Sequence, residues 1–134
     1  MSIQVTLRIR PLIGENEIKA GECIVSSGEA GSVQLVLDDD ESSTCNYAFS
    51  SVLHDVPQPY AIAHCKRGAV ETALRGCNVS IICYGPTGSG KTFTIFGNRS
   101  SPGLVPNVAE SLFDQIAVCE EQGDEVLVEL SFIQ

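Results

Sequence analysis

Val79, Ile81, Ile82, Cys83 and Tyr84 make a nearly continuous apolar run that passes straight into a turn carrying Gly85, Gly88 and Gly90. An apolar run with β-branched residues, bounded by glycine, suits a strand covered on both faces, as in a parallel sheet. A short helix is expected to begin at Lys91 and stop near Gly97, and a second, amphipathic one to cover 105–118 with Val108, Leu112 and Ile116 on one side. A further strand is expected over 126–133. Strands and helices that alternate in this way predict an α/β protein of three layers around a central, mainly parallel sheet.

The first half adds smaller pieces. Ile3, Val5, Leu7 and Ile9 alternate with Gln4, Thr6, Arg8 and Arg10, which predicts a strand that Pro11 ends. Residues 23–25 and 33–37 flank a polar stretch and predict a hairpin, and 47–49 predicts a short strand. Residues 38–43 read as an acidic surface loop, because the ligand spacing of a calcium loop is missing. From 58 to 75 the period becomes helical, with Ile62, Cys65, Ala69 and Ala73 on one stripe and Gly76 as the C-terminal cap.

The loop carries the chemistry. Gly85, Pro86, Thr87, Gly88, Ser89, Gly90, Lys91 and Thr92 match the Walker A spacing of a P-loop NTPase. Glycines free the backbone so that successive N–H groups turn inward around phosphate oxygens. Lys91 is expected at the β- and γ-phosphates as the catalytic cation, Thr92 as the oxygen ligand of Mg²⁺, and the following helix as a favourable dipole. ATP with Mg²⁺ is the expected ligand. A dinucleotide fold is disfavoured, since Lys91, Thr92 and Phe93 follow where a third glycine is needed.

Composition excludes other classes. The 134 residues suit one domain, and 43% hydrophobic against 19% charged residues is globular usage. A net charge of −9 argues against nucleic acid as partner. No apolar run is long enough for a membrane span and no secretory signal is visible, so a cytoplasmic chain is expected. The six cysteines, at 23, 45, 65, 77, 83 and 119, lack zinc or disulfide spacing and are expected reduced, with Cys65, Cys77 and Cys83 packed as small hydrophobes.

The residues from Gly76 through Gly97 resemble the kinesin motor domain, which typically carries Gly-Tyr-Asn, an apolar strand, a Tyr-Gly-x-Thr-Gly-Ser-Gly-Lys-Thr loop and Thr-Met-x-Gly. Arg8, Arg10 and Pro11 resemble the family's Arg-x-Arg-Pro, Phe49 and Val52 its Phe-x-x-Val, and Gly103, Leu104, Val105 and Pro106 its Gly-Ile-Ile-Pro helix entry. The resemblance implies that Arg8, Arg10 and Pro11 border the adenine pocket and that Phe93 lies against the base. It departs from the pattern at Ser50, Cys77, Ile95, Asn107 and Gln134, none of which is expected at a phosphate.

The resemblance further implies microtubules as partner and the cytoskeleton as location, with ATP hydrolysis driving movement. The family's switch segments, of the Ser-Ser-Arg-Ser-His and Asp-Leu-Ala-Gly-Ser-Glu types, do not occur in the sequence. Residues 1–134 therefore read as the N-terminal portion of a single, truncated motor domain, its last strand cut at Gln134, with negligible turnover expected from the chain alone. The acidic charge fits this, because tubulin is acidic and the contacting elements lie downstream in the family. Two alternatives stay open. One is another P-loop enzyme, a small kinase or GTPase, for which Glu129 is the sole Walker B candidate and Asn-Lys-x-Asp is missing. The other is a non-enzymatic, kinesin-derived nucleotide-binding module.

Overall fold

The computed structural model describes residues 3–15, 24–26, 31–36 and 44–131. Five strands and four helices are formed among them: β1 (Thr6–Ile9), β2 (Ile24–Ser26), β3 (Ser32–Val36), β4 (Thr44–Ala48), β5 (Ser51–His54), α1 (Gln58–Lys66), α2 (Ala69–Leu74), α3 (Lys91–Ile95) and α4 (Leu104–Glu121). β1 and β5 pair in parallel, with Thr6 opposite Ser51 and Ile9 opposite His54. β2, β3 and β4 form a separate antiparallel sheet in sequence order.

The hairpin read from the sequence forms, with Ile24 opposite Leu35 and Ser26 opposite Val33. The strand expected at 47–49 starts earlier, at Thr44, and pairs with β3 throughout. Sequence reading missed β5, whose four residues are too few to display a period. Backbone bonds secure its entry: Phe49 N–H donates to Gly31 O at 2.7 Å and Ser50 N–H to Val5 O at 2.8 Å. The acidic loop at 38–43, Cys23 and the chain end at 132–134 lie outside the described residues.

The helix expected over 58–75 is two helices. Arg67 leaves helical geometry at ψ 122°, and Gly68 enters the left-handed region at φ +73°. Glycine reaches that region without the steric cost of a β-carbon, so the apolar stripe continues across a backbone that does not. Gly76 ends α2 at φ +82°, and its N–H donates to Ala73 O at 2.9 Å.

The core gathers Leu53 from β5, Ala61 and Ile62 from α1, Val70 from α2, and Leu104 and Ile116 from α4. α4 packs on α1 and α2, and Lys66 Nζ donates to Ser111 Oγ at 3.0 Å across that contact. A polar relay crosses the other side: Thr6 Oγ1 and Ser51 Oγ stand 2.8 Å apart, and Ser51 Oγ stands 2.9 Å from His64 Nε2.

The two apolar runs expected as sheet strands have no strand pairing among the described residues. Residues 79–84 lead into the loop without regular secondary structure, with Ile82 85% and Tyr84 99% exposed, and 126–131 leaves Leu127 and Leu130 similarly open. Pattern records what a segment is suited to, whereas a strand also needs a neighbour's N–H and C=O groups beside it. Here no such neighbour is among the described residues. Among them, too, no helix is long and apolar enough to cross a membrane.

Candidate nucleotide-binding site

The loop leaves the apolar run at Gly85 with φ +150°, where a β-carbon would come within 2.8 Å of Ser89 Oγ. Gly88 and Gly90 both lie in the left-handed region, at φ +82° and +91°, and Gly90 is the residue that opens α3. Ser89 N–H donates to Pro86 O at 3.3 Å and closes the turn. Lys91 then folds back over it: its Nζ donates to Gly85 O at 2.9 Å and to Pro86 O at 2.8 Å. The ammonium therefore sits across the loop it follows in sequence, held by two of its three donors. Thr92, one residue further, is exposed, as are Pro86 and Thr87 at the rim.

β1 supplies the opposite wall. Arg10 Nε donates to Gly88 O at 3.1 Å and Arg10 Nη1 to Pro11 O at 2.9 Å, so this side chain spans from the strand end to the tip of the loop. Arg8 Nη1 donates to Thr94 Oγ1 at 2.8 Å, and Thr94 Oγ1 donates to Gly90 O at 3.0 Å. The Arg8 guanidinium also stands over the Phe93 ring, 5.9 Å from its centre, within the range of a cation–π contact. Arg8, Arg10, Phe93 and Lys91 thus meet around one loop, while Pro11 is exposed beside it.

Charge and burial act on the same corner. Partial burial draws the Arg8 guanidinium down from its ordinary value, opposed by Cys65 and Cys83. Burial pushes the Cys65 thiol up, with Cys83 adding to the effect and Arg8 opposing it. Burial likewise raises Cys83, again against Arg8. Both thiols are half-buried and reduced, together with Cys45 and Cys119. Cys77 departs from the expectation of apolar packing: it is exposed, because the turn after Gly76 carries it beyond the end of α2.

The donor set suits an oxyanion. A turn with three glycines at positive φ, one ammonium and a rim hydroxyl offers the donors that a polyphosphate needs, and Thr92 carries an exposed hydroxyl oxygen, a ligand type that suits a hard cation. No group of three or more His, Cys, Asp or Glu side chains placed to hold a metal ion stands among the described residues. α3 has five residues, little more than one turn, so its dipole adds less than the sequence suggested. Two contributors escaped sequence reading, Thr94 and Gln58. Gln58 is 6% exposed at the start of α1, and its Nε2 donates to Phe93 O at 2.7 Å. The only available signal was a glutamine between Pro57 and Pro59 at a helix entry, where a solvated side chain is the ordinary expectation.

A family model described as the kinesin motor domain matches residues 8–134. The chain belongs to the kinesin motor domain family. Among relatives, it is 35% identical over 111 residues to the kinesin-like protein KIN-14I of Oryza sativa subsp. japonica, covering 83% of this chain and 9% of that protein. It is 31% identical to the kinesin-like protein KIN-4A of Arabidopsis thaliana, covering 99% of this chain and 13% of that protein. A solved structure of KIF14, with ADP and in complex with a microtubule, superposes with a TM-score of 0.76 at 21% identity, over 87% of this chain and 34% of that one. The kinesin chain described here therefore has the expected mixed α/β P-loop fold and spans about a third of that solved motor chain. Its parallel pairing among the described residues is confined to β1 and β5.

Proposed function

We propose that residues 1–134 are the N-terminal, ATP-binding part of a kinesin motor, with Gly85, Pro86, Thr87, Gly88, Ser89, Gly90, Lys91 and Thr92 holding the phosphates and Arg8, Arg10, Pro11 and Phe93 bordering the base. The observation that carries the reading is the fold of Lys91 back over Gly85 and Pro86. A γ-phosphate is a better acceptor for that ammonium than two neutral carbonyls, so the lysine exchanges partners within the same cradle. Arg10 keeps the loop tip in place through Gly88 O while this happens. Thr92 would supply the protein oxygen for Mg²⁺, which would neutralise phosphate charge.

The KIF14 structure was solved with ADP and a microtubule, and its fold likeness supports the same ligand class and the same partner for the complete protein. In that protein, hydrolysis would be coupled to microtubule-based movement at the cytoskeleton. Phosphoryl transfer also requires groups that place the attacking water and sense the γ-phosphate. This sequence holds neither switch segment, and Glu129 lies in the largely exposed stretch 126–131, away from the loop in sequence and without strand pairing among the described residues. Binding is thus assigned to this chain, and turnover to groups that it does not contain. Single-turnover hydrolysis with radiolabelled ATP tests the division: bound nucleotide that stays intact is expected, and cleavage at the rate of a full motor head would refute it. Competition by GTP distinguishes the other P-loop enzymes.

A further inference from the structure

Gln58 joins two parts of the molecule 35 residues apart, and its chemistry is one-sided. Nε2 donates to the Phe93 carbonyl at 2.7 Å, which fixes the amide's orientation. Oε1 is then buried with no hydrogen-bond partner among the described residues. A buried orphan acceptor is a standing cost, and native proteins rarely carry one without return. The return is at Phe93. α3 ends at Ile95, so the Phe93 carbonyl belongs to the last turn, where helical donors run out. Gln58 supplies that donor from the first residue of α1.

We propose that Gln58 is a positioning residue for the base side of the nucleotide site. It holds the Phe93 backbone where the ring faces Arg8, and so sets the position of the ring that borders the proposed base side. The phosphate side has separate fastenings, in Lys91 to Gly85 and Pro86 and Arg10 to Gly88. The inference rests on the reading of 85–92 as a phosphate loop, and it divides the site into two halves that are tuned independently.

The test titrates the 134-residue chain with ADP and with inorganic tripolyphosphate, each with Mg²⁺, by calorimetry. Gln58→Met keeps length but removes the donor, and is expected to weaken ADP about tenfold while tripolyphosphate changes less than about twofold. Phe93→Ala should produce the same selective loss, and the double variant little more than either alone. Gln58→Asn, which retains an amide with shorter reach, gives the comparison in a polar background if Gln58→Met fails to fold. Equal weakening of both ligands, no change in either, or additive losses would each overturn the proposal. Wild-type protein that binds tripolyphosphate as tightly as ADP would remove the base side and leave the loop reading standing. Wild-type protein that binds neither would bring down the loop reading itself, and this proposal with it.

Discussion

Lys91 and Arg8 show how few side chains define this site. Each is half-buried, and each is held by hydrogen bonds to the loop or the helix that follows it. Thr94 links Arg8 to Gly90, and Thr94→Val removes both of its side-chain bonds at once. Its thermal midpoint is expected to fall by an amount equivalent to about 1–2 kcal/mol, as scanning calorimetry would show. The cysteines provide a chemical check on the same corner. A raised thiol pKa means less thiolate at a given pH, so Cys65 and Cys83 should alkylate more slowly with iodoacetamide than exposed Cys77, as read by peptide mass spectrometry. The linkage has a definite sign. For a group raised on folding, the stability it contributes is complete below the unfolded thiol's pKa and is lost as pH climbs through the raised, folded value. Thermal stability should therefore decline on the alkaline side, and a midpoint that rises there would contradict the burial of these two thiols.

Elements were legible where their signal is local. The loop, the Gly76 cap and the long amphipathic helix follow from spacing and turn chemistry within a few residues. α4 runs Leu104–Glu121, with Ile116 buried as its apolar face requires. β5 and the break at Gly68 were not legible, because one is too short for a pattern and the other falls between Cys65 and Ala69 without interrupting the apolar stripe. Gln58 was hidden for a different reason, since its role depends on a carbonyl that only tertiary structure brings near. The turn between α3 and α4 carries a prediction at this scale. Gly97 pairs with Pro102, and Asn98 Oδ1 accepts from Ser100 N at 3.0 Å, Ser100 Oγ at 2.9 Å and Ser101 N at 2.8 Å. At φ +69°, a β-carbon on Gly97 would run into the Ser101 carbonyl and the Gly103 nitrogen. Gly14, at φ +90°, has nothing within 4 Å of such a β-carbon among the described residues. Gly14→Ala should cost only the backbone strain of about 1–2 kcal/mol, and Gly97→Ala clearly more, by denaturant titration. Equal losses would mean that the Gly97 turn is looser than described.

At the scale of the whole molecule, half of the expected architecture is a matter of partnership. The runs at 79–84 and 126–131 have the composition of sheet strands yet expose Ile82, Tyr84, Leu127 and Leu130 among the described residues. Apolar surface of that kind is rare on a monomer. The chain alone should therefore bind a hydrophobic dye and associate with concentration, and Ile82→Lys should reduce both, as dye fluorescence and sedimentation would record. Amides of 79–84 should exchange with deuterium faster than those of β1 and β5; slow exchange would show that the run has found a ladder. None of this touches the loop at 85–92, which draws on Arg10 and its own backbone. The decisive measurement is calorimetric titration of Mg²⁺–ATP into wild type and Lys91→Ala. The loss of the ammonium predicts affinity weaker by about thirtyfold or more. Equal affinity in the two proteins, or no binding to wild type, would contradict the assignment of residues 85–92 as the cradle of a nucleoside triphosphate.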